Sequence, residues 1–100
     1  MDLNLLQKTE LWISDIELNK ANLNEVAAVV ARVLELPAEA VLVVDVRSNV
    51  IVLDILRKTI KAEQIVGKER DLLSALAGIS GLQISSQTAI HAQGILGLIA

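Results

Sequence analysis

The chain has 100 residues, a formal net charge of −3, one tryptophan as its sole aromatic residue and no cysteine. Leu, Ile and Val supply 39 of those residues, enough to build one core without disulfides or a structural metal. This composition excludes thiolate chemistry, Cys-ligated metals and disulfide frameworks, disfavours nucleic-acid platforms that need rows of exposed rings, and offers no overall positive field to gather phosphates.

The first expected strand is Thr9–Leu18, TELWISDIEL. Its apolar residues fall on both parities, Leu11 and Ile13 on one and Trp12, Ile16 and Leu18 on the other. A central strand, or a bulge near Ser14–Asp15, explains that pattern. Asn22-Leu-Asn-Glu25 then resembles a capping box. Val26, Val29, Val30, Val33 and Leu34 follow at helical spacing, and Pro37 is expected to end the helix.

Val41–Leu56, VLVVDVRSNVIVLDIL, predicts a hairpin. A two-residue loop at Ser48–Asn49 sets Arg47 opposite Val50 and Asp45 opposite Val52. Leu42, Val44, Val46, Ile51, Leu53 and Ile55 then share the core face, and an odd loop would drive Asp54 into it, at the cost of burying a carboxylate. The other face is expected to carry Val41, Val43, Asp45, Val50, Val52, Asp54 and Leu56. Five aliphatic residues among charges on a small domain call for a cover: the N-terminal LNLL, the C-terminal ILGLIA, a second subunit or another domain.

Lys58–Gly67 reads as a transition with one helical turn at Ala62–Ile65. Lys68–Ala77 reads as a second main helix with Leu72, Leu73 and Leu76 inward, and Gly78 as a left-handed stop. Leu82–Ile90 is the last clear strand, with Leu82, Ile84 and Ile90 on one side and Gln83, Ser85, Gln87 and His91 on the other. Gly94-Ile-Leu-Gly97 has neither the lysine of a phosphate loop nor the glycine pattern of a dinucleotide fold; it suits close backbone packing or a final edge strand.

The order β-α-β-β-α-β is the ferredoxin-like, split βαβ pattern. It predicts one α+β domain over residues 1–100, a four-stranded antiparallel sheet with two helices on one face, and room for an extra C-terminal edge strand. ILGLIA stops without a polar terminus or a breaker, which leads us to expect a domain excised from a longer protein. No signal peptide is visible after Met1-Asp2, and the apolar run Gly94–Ala100 is too short to span a bilayer. A soluble, cytoplasmic protein is expected.

Candidate sites are few. Asp45 and Asp54 are diagonal neighbours on one face, where two carboxylates can hold a cation through water or act as acid and base; the expectation is that they keep an exposed strand face soluble. Arg57, Lys58 and Lys61 form the one compact basic group, suited to a phosphate or carboxylate and expected to be solvated. His91, the sole histidine, is expected to be exposed and non-catalytic. Ser85, Ser86 and Thr88 lack the setting of a nucleophile and are expected to supply strand-face polarity. No cofactor or metal is expected.

VVDVRSNVIVLDILRKTI and IHAQGILGLI resemble segments of uncharacterised bacterial proteins in which a small α+β domain precedes a molybdopterin-binding domain of the CinA/MogA kind. The glycine-rich pterin site of that family is not found here, so no cofactor-binding residue carries over. The resemblance implies an accessory module. The expected function is a non-catalytic accessory or assembly domain that uses its second sheet face for oligomerisation or for docking a neighbouring domain, with neither nucleic acid nor membrane as partner. The alternative is a small-ligand regulatory module resembling ACT domains, although the stretch matching their glycine-bearing loop, Asn19–Asn22, has no glycine.

Overall fold

A computed structural model describes residues 4–56 and 60–99, with the side chains of 8–56 and 60–94. The chain runs β1 (Asn4–Ser14), β2 (Glu17–Leu18), α1 (Leu23–Val33), a 3-10 turn at Ala38–Ala40, β3 (Val41–Arg47), β4 (Val50–Ile55), α2 (Ala62–Val66), α3 (Glu69–Leu76), β5 (Leu82–Gln83) and β6 (Ala89–Ile99). The protein is α+β. Four antiparallel strands lie in the order β3-β4-β1-β6, and β2 pairs with β5 in a second, two-stranded sheet. The elements outnumber the six expected from the sequence because two predicted strands are divided and because α2 and the 3-10 turn stand as short helices of their own.

Both divisions have a local cause. Asp15 takes a positive φ of 57°, which turns the chain out of β1, so Ile16 and Leu18 leave the strand that holds Leu11 and Ile13. The predicted strand Leu82–Ile90 is broken by a turn at Ser85–Thr88. There the Thr88 hydroxyl accepts from the Ser85 amide at 3.0 Å and donates to the Asp15 carbonyl at 2.7 Å, while Ser85 Oγ accepts from the Gln87 amide at 3.1 Å. These hydroxyls stabilise a turn and do not line a strand face. The final strand begins at Ala89 and takes in Gly94–Gly97, so the C-terminal segment continues this strand and adds no further one.

Helix α1 starts as its sequence predicts: Asn22 Oδ1 accepts from the amides of Asn24 and Glu25 at 3.0 and 3.3 Å. It ends before Pro37. The Leu36 amide reaches the Ala31 carbonyl at 2.8 Å and the Glu35 amide the Arg32 carbonyl at 3.1 Å, a Schellman motif with Glu35 at φ 59° in the place that glycine usually fills. Gly78 is not a left-handed stop; the positive-φ glycine is Gly81, at φ 85°. A Cβ there would lie 2.4 Å from the Asn19 carbonyl oxygen and 3.0 Å from the Ala21 nitrogen, because this turn packs directly on the loop after β2.

The core lies between the helices and one face of the main sheet. Leu11 and Ile13 of β1, Ile51, Leu53 and Ile55 of β4, and Ile90 of β6 meet Val26 and Val30 of α1, Ile65 of α2, and Leu72 and Leu76 of α3. Full burial of each such side chain contributes about 1.5–3 kcal/mol. β1 is one of the two interior strands, with β4 on one side and β6 on the other.

The hairpin keeps its predicted register near the turn: Arg47 opposes Val50 and Asp45 opposes Val52. A bulge between Val43 and Asp45 then reverses the sides. Val41 opposes Ile55 and Val43 opposes Leu53, so both face the helices, Val41 being buried and Val43 half-buried. Leu42 and Val44, expected inside, are 47% and 50% exposed. One extra residue in β3 thus exchanges the two valines for Leu42 on the outer face.

Candidate functional site on the outer sheet face

The face turned away from the helices is built in rows across the strands. Asp45, Val52, Trp12 and His91 form one row; Leu42, Asp54, Glu10 and Gln93 form the next. Neighbouring strands lie about 4.8 Å apart. Asp45 and His91 therefore stand three spacings apart on opposite edge strands and do not converge. Asp45 and Asp54 do share this face as diagonal neighbours, as the sequence predicted.

Each carboxylate has its own cation. Lys8 Nζ donates to Asp54 Oδ2 at 2.8 Å, with the two side chains 22% and 13% exposed. Arg47 Nε donates to Asp45 Oδ2 at 3.2 Å in a well-exposed pair. Trp12 Nε1 donates to Glu10 Oε1. The hydrogen bond to Asp54 raises Lys8 above its ordinary value of 10.5, against the opposing effect of burial, with the charges of Asp54 and Glu10 adding to the rise. Asp54 Oδ1 is buried with no hydrogen-bond partner among the described residues. No group of three or more His, Asp or Glu able to hold a metal occurs among the described residues.

Of the residues predicted for this surface, Val52 sits on it but is buried, Val50 is half-buried, and Leu56 is 39% exposed. Val41 and Val43 lie on the other side, for the reason given above. Leu42 takes their place, close to Leu56, whose amide donates to the Ala40 carbonyl at 2.8 Å. The exposed apolar corner is thus Leu42 and Leu56, beside the Lys8–Asp54 pair.

Lys8, Glu10 and Trp12 also belong to this face, beyond the residues expected from the sequence. Their signal was present: Lys8, Glu10, Trp12 and Ser14 alternate with Thr9, Leu11 and Ile13. The predicted strand started at Thr9 and so lost the first polar position. Trp12 and His91, with Ser14, Ala92 and Gln93, line an open groove of about 290 Å³, below the usual size of a small-molecule site. A second hollow of about 350 Å³ lies between the hairpin turn and the β2–β5 pair, lined by Asp15, Glu17, Asn49 and Gln83 among others.

The remaining candidates are scattered. Arg57 and Lys58 lie outside the described residues; Lys61 is exposed at the start of α2, where its amide donates to Gln64 Oε1 at 2.8 Å. His91 is exposed. The backbone of Asn19–Ala21, where an ACT-like ligand would approach, is packed against Gly81 of this chain. Asn4–Gln7 and Leu96–Ile99 pair with each other as the continuation of β1 and β6, so their backbones extend the sheet. No helix among the described residues is long and apolar enough to cross a membrane. The chain matches no protein family, no curated protein and no solved structure.

Proposed function

We propose that this chain is a non-catalytic, cytoplasmic accessory domain that self-associates through the outer face of its main sheet. One observation carries the reading. Leu42 and Leu56 stand exposed on a face whose described charged groups are already paired within it: Lys8 with Asp54, Arg47 with Asp45, and Glu10 with the Trp12 indole. Covering paired charges costs less than covering free ones, and the leucines supply the apolar area. The sheet order, with α1 between β1 and β3 and with α2 and α3 between β4 and β6, supports a ferredoxin-like body elaborated by the β2–β5 pair. The resemblance to modules that precede molybdopterin-binding domains accords with an accessory role and assigns no pterin chemistry to these residues. Sedimentation equilibrium tests the proposal. The wild-type chain is expected to associate reversibly, and Leu42→Arg is expected to weaken that association at least tenfold; a strictly monomeric wild type would overturn it.

A further inference from the structure

The main sheet has two edges, and they are built differently. The β3 edge carries a bulge between Val43 and Asp45 and the charged pair Asp45–Arg47, both of which discourage another strand from adding to it. The β6 edge has neither. Ala89–Ile99 is eleven residues long, pairs with β1 in unbroken register, and contains no Asp, Glu, Lys, Arg or Pro.

One group does guard the start of this edge. The Ile90 amide donates to Glu69 Oε2 at 3.1 Å. That amide therefore points away from β1, and the two-residue period of a strand puts the amides and carbonyls of Ala92, Gly94, Leu96 and Leu98 on the same outward side. Glu69 blocks the first of the set; among the described residues no strand lies beyond β6 to take the others. A Cβ placed at Gly94 would meet nothing within 4 Å.

We infer that the outward edge of β6 from Ala92 to Leu98 adds to the same edge of a second copy of this chain, antiparallel, joining two four-stranded sheets into one. A second copy fits because antiparallel pairing of identical strands is self-complementary and places no like charges opposite one another. It also closes: among the described residues each copy uses the one unguarded edge of its main sheet and leaves the guarded β3 edge outside, so the assembly stops at two across this contact. The register that uses all four outward residues pairs Ala92 with Leu98 and Gly94 with Leu96, and sets the two Ile95 residues opposite each other at the axis. Such a non-hydrogen-bonded pair has its Cα atoms about 4.5 Å apart, within the span of a disulfide.

The test compares wild type, Ala92→Pro and Leu42→Arg by sedimentation equilibrium, with folding checked by circular dichroism. Proline at residue 92 removes an outward amide and spares the ladder to β1. Ala92→Pro is expected to raise the dissociation constant at least tenfold. In this cysteine-free chain, Ile95→Cys is expected to yield a disulfide-linked dimer on mild oxidation. A wild type that stays monomeric at sub-millimolar concentration overturns the inference, and so does an Ala92→Pro variant that associates like wild type. If that variant does so while Leu42→Arg loses association, the outer-face reading survives alone; the reverse pattern leaves the edge alone. Should Ala92→Pro fail to fold, Ile95→Cys decides: a cross-linked dimer supports the pairing, and failure to cross-link overturns it.

Discussion

Gly81→Ala tests how the β2–β5 sheet is held to the rest of the protein. Two costs combine. At φ 85° an alanine enters a left-handed conformation that disfavours a Cβ by about 1–2 kcal/mol. The new methyl would also lie 2.4 Å from the Asn19 carbonyl oxygen and 3.1 Å from the Ala21 Cα. These are backbone atoms and cannot rotate away, so the loop must shift, at about 1–3 kcal/mol by analogy with overpacked cores. The shift also strains the 2.7 Å hydrogen bond from the Asn19 amide to the Gly81 carbonyl. The expected loss is about 2–5 kcal/mol, a large share of the 5–15 kcal/mol typical of a domain, with a fall in Tm of roughly 10 °C or more. Urea denaturation reads it as a lower midpoint at unchanged slope. Gly78→Ala is the control: its φ is not positive, and its Cβ would meet only the Ala75 carbonyl at 3.4 Å. A Gly81→Ala midpoint equal to wild type, or an equal loss from Gly78→Ala, would refute the reasoning.

Three further outcomes are expected. Glu35→Gly should stabilise the protein by about 0.5–1 kcal/mol in urea melts, because it relieves a left-handed glutamate at the end of α1 and loses part of that gain to backbone entropy; a destabilised variant would contradict the Schellman reading. Thr88→Val should cost about 1–3 kcal/mol by the same assay, since it strands the Asp15 carbonyl and the Ser85 amide. The Lys8–Asp54 pair should show in the alkaline limb of stability. Lys8 titrates higher in the folded state than its unfolded 10.5, so the pairing contributes fully below pH 10.5 and is lost as pH rises through the raised value. Urea melts from pH 9 upward should fall more steeply for wild type than for Lys8→Met; parallel curves would remove the pair from the account.

The site was legible in outline. Asp45 and Asp54 share a face because the even, two-residue turn sets their parity, and the bulge lies between them without undoing it: Asp45 lies on the turn side of the bulge, Asp54 on the other strand. The valines were misplaced because a bulge has no composition of its own. VLVV reads the same in either register, and only the packing of Val41 and Val43 under the helices decides which side faces in. Thr88 was equally opaque, since a hydroxyl on a predicted strand face and a hydroxyl clamping a turn share one sequence signature.

Local chemistry alone determined the helix start at Asn22 and the two-residue hairpin turn, each resting on contacts within a few residues, and the helical period marked which leucines of α3 turn inward. Tertiary structure decided the rest: Gly81 is needed because a distant loop lies against it, Glu69 guards the sheet edge because its carboxylate reaches the Ile90 amide, and β1 lies inside the sheet because its backbone pairs with both β4 and β6. Periodicity encodes which side of a strand is apolar. The neighbour on each edge is set by contacts between residues far apart in sequence, and that information is spread over the whole chain.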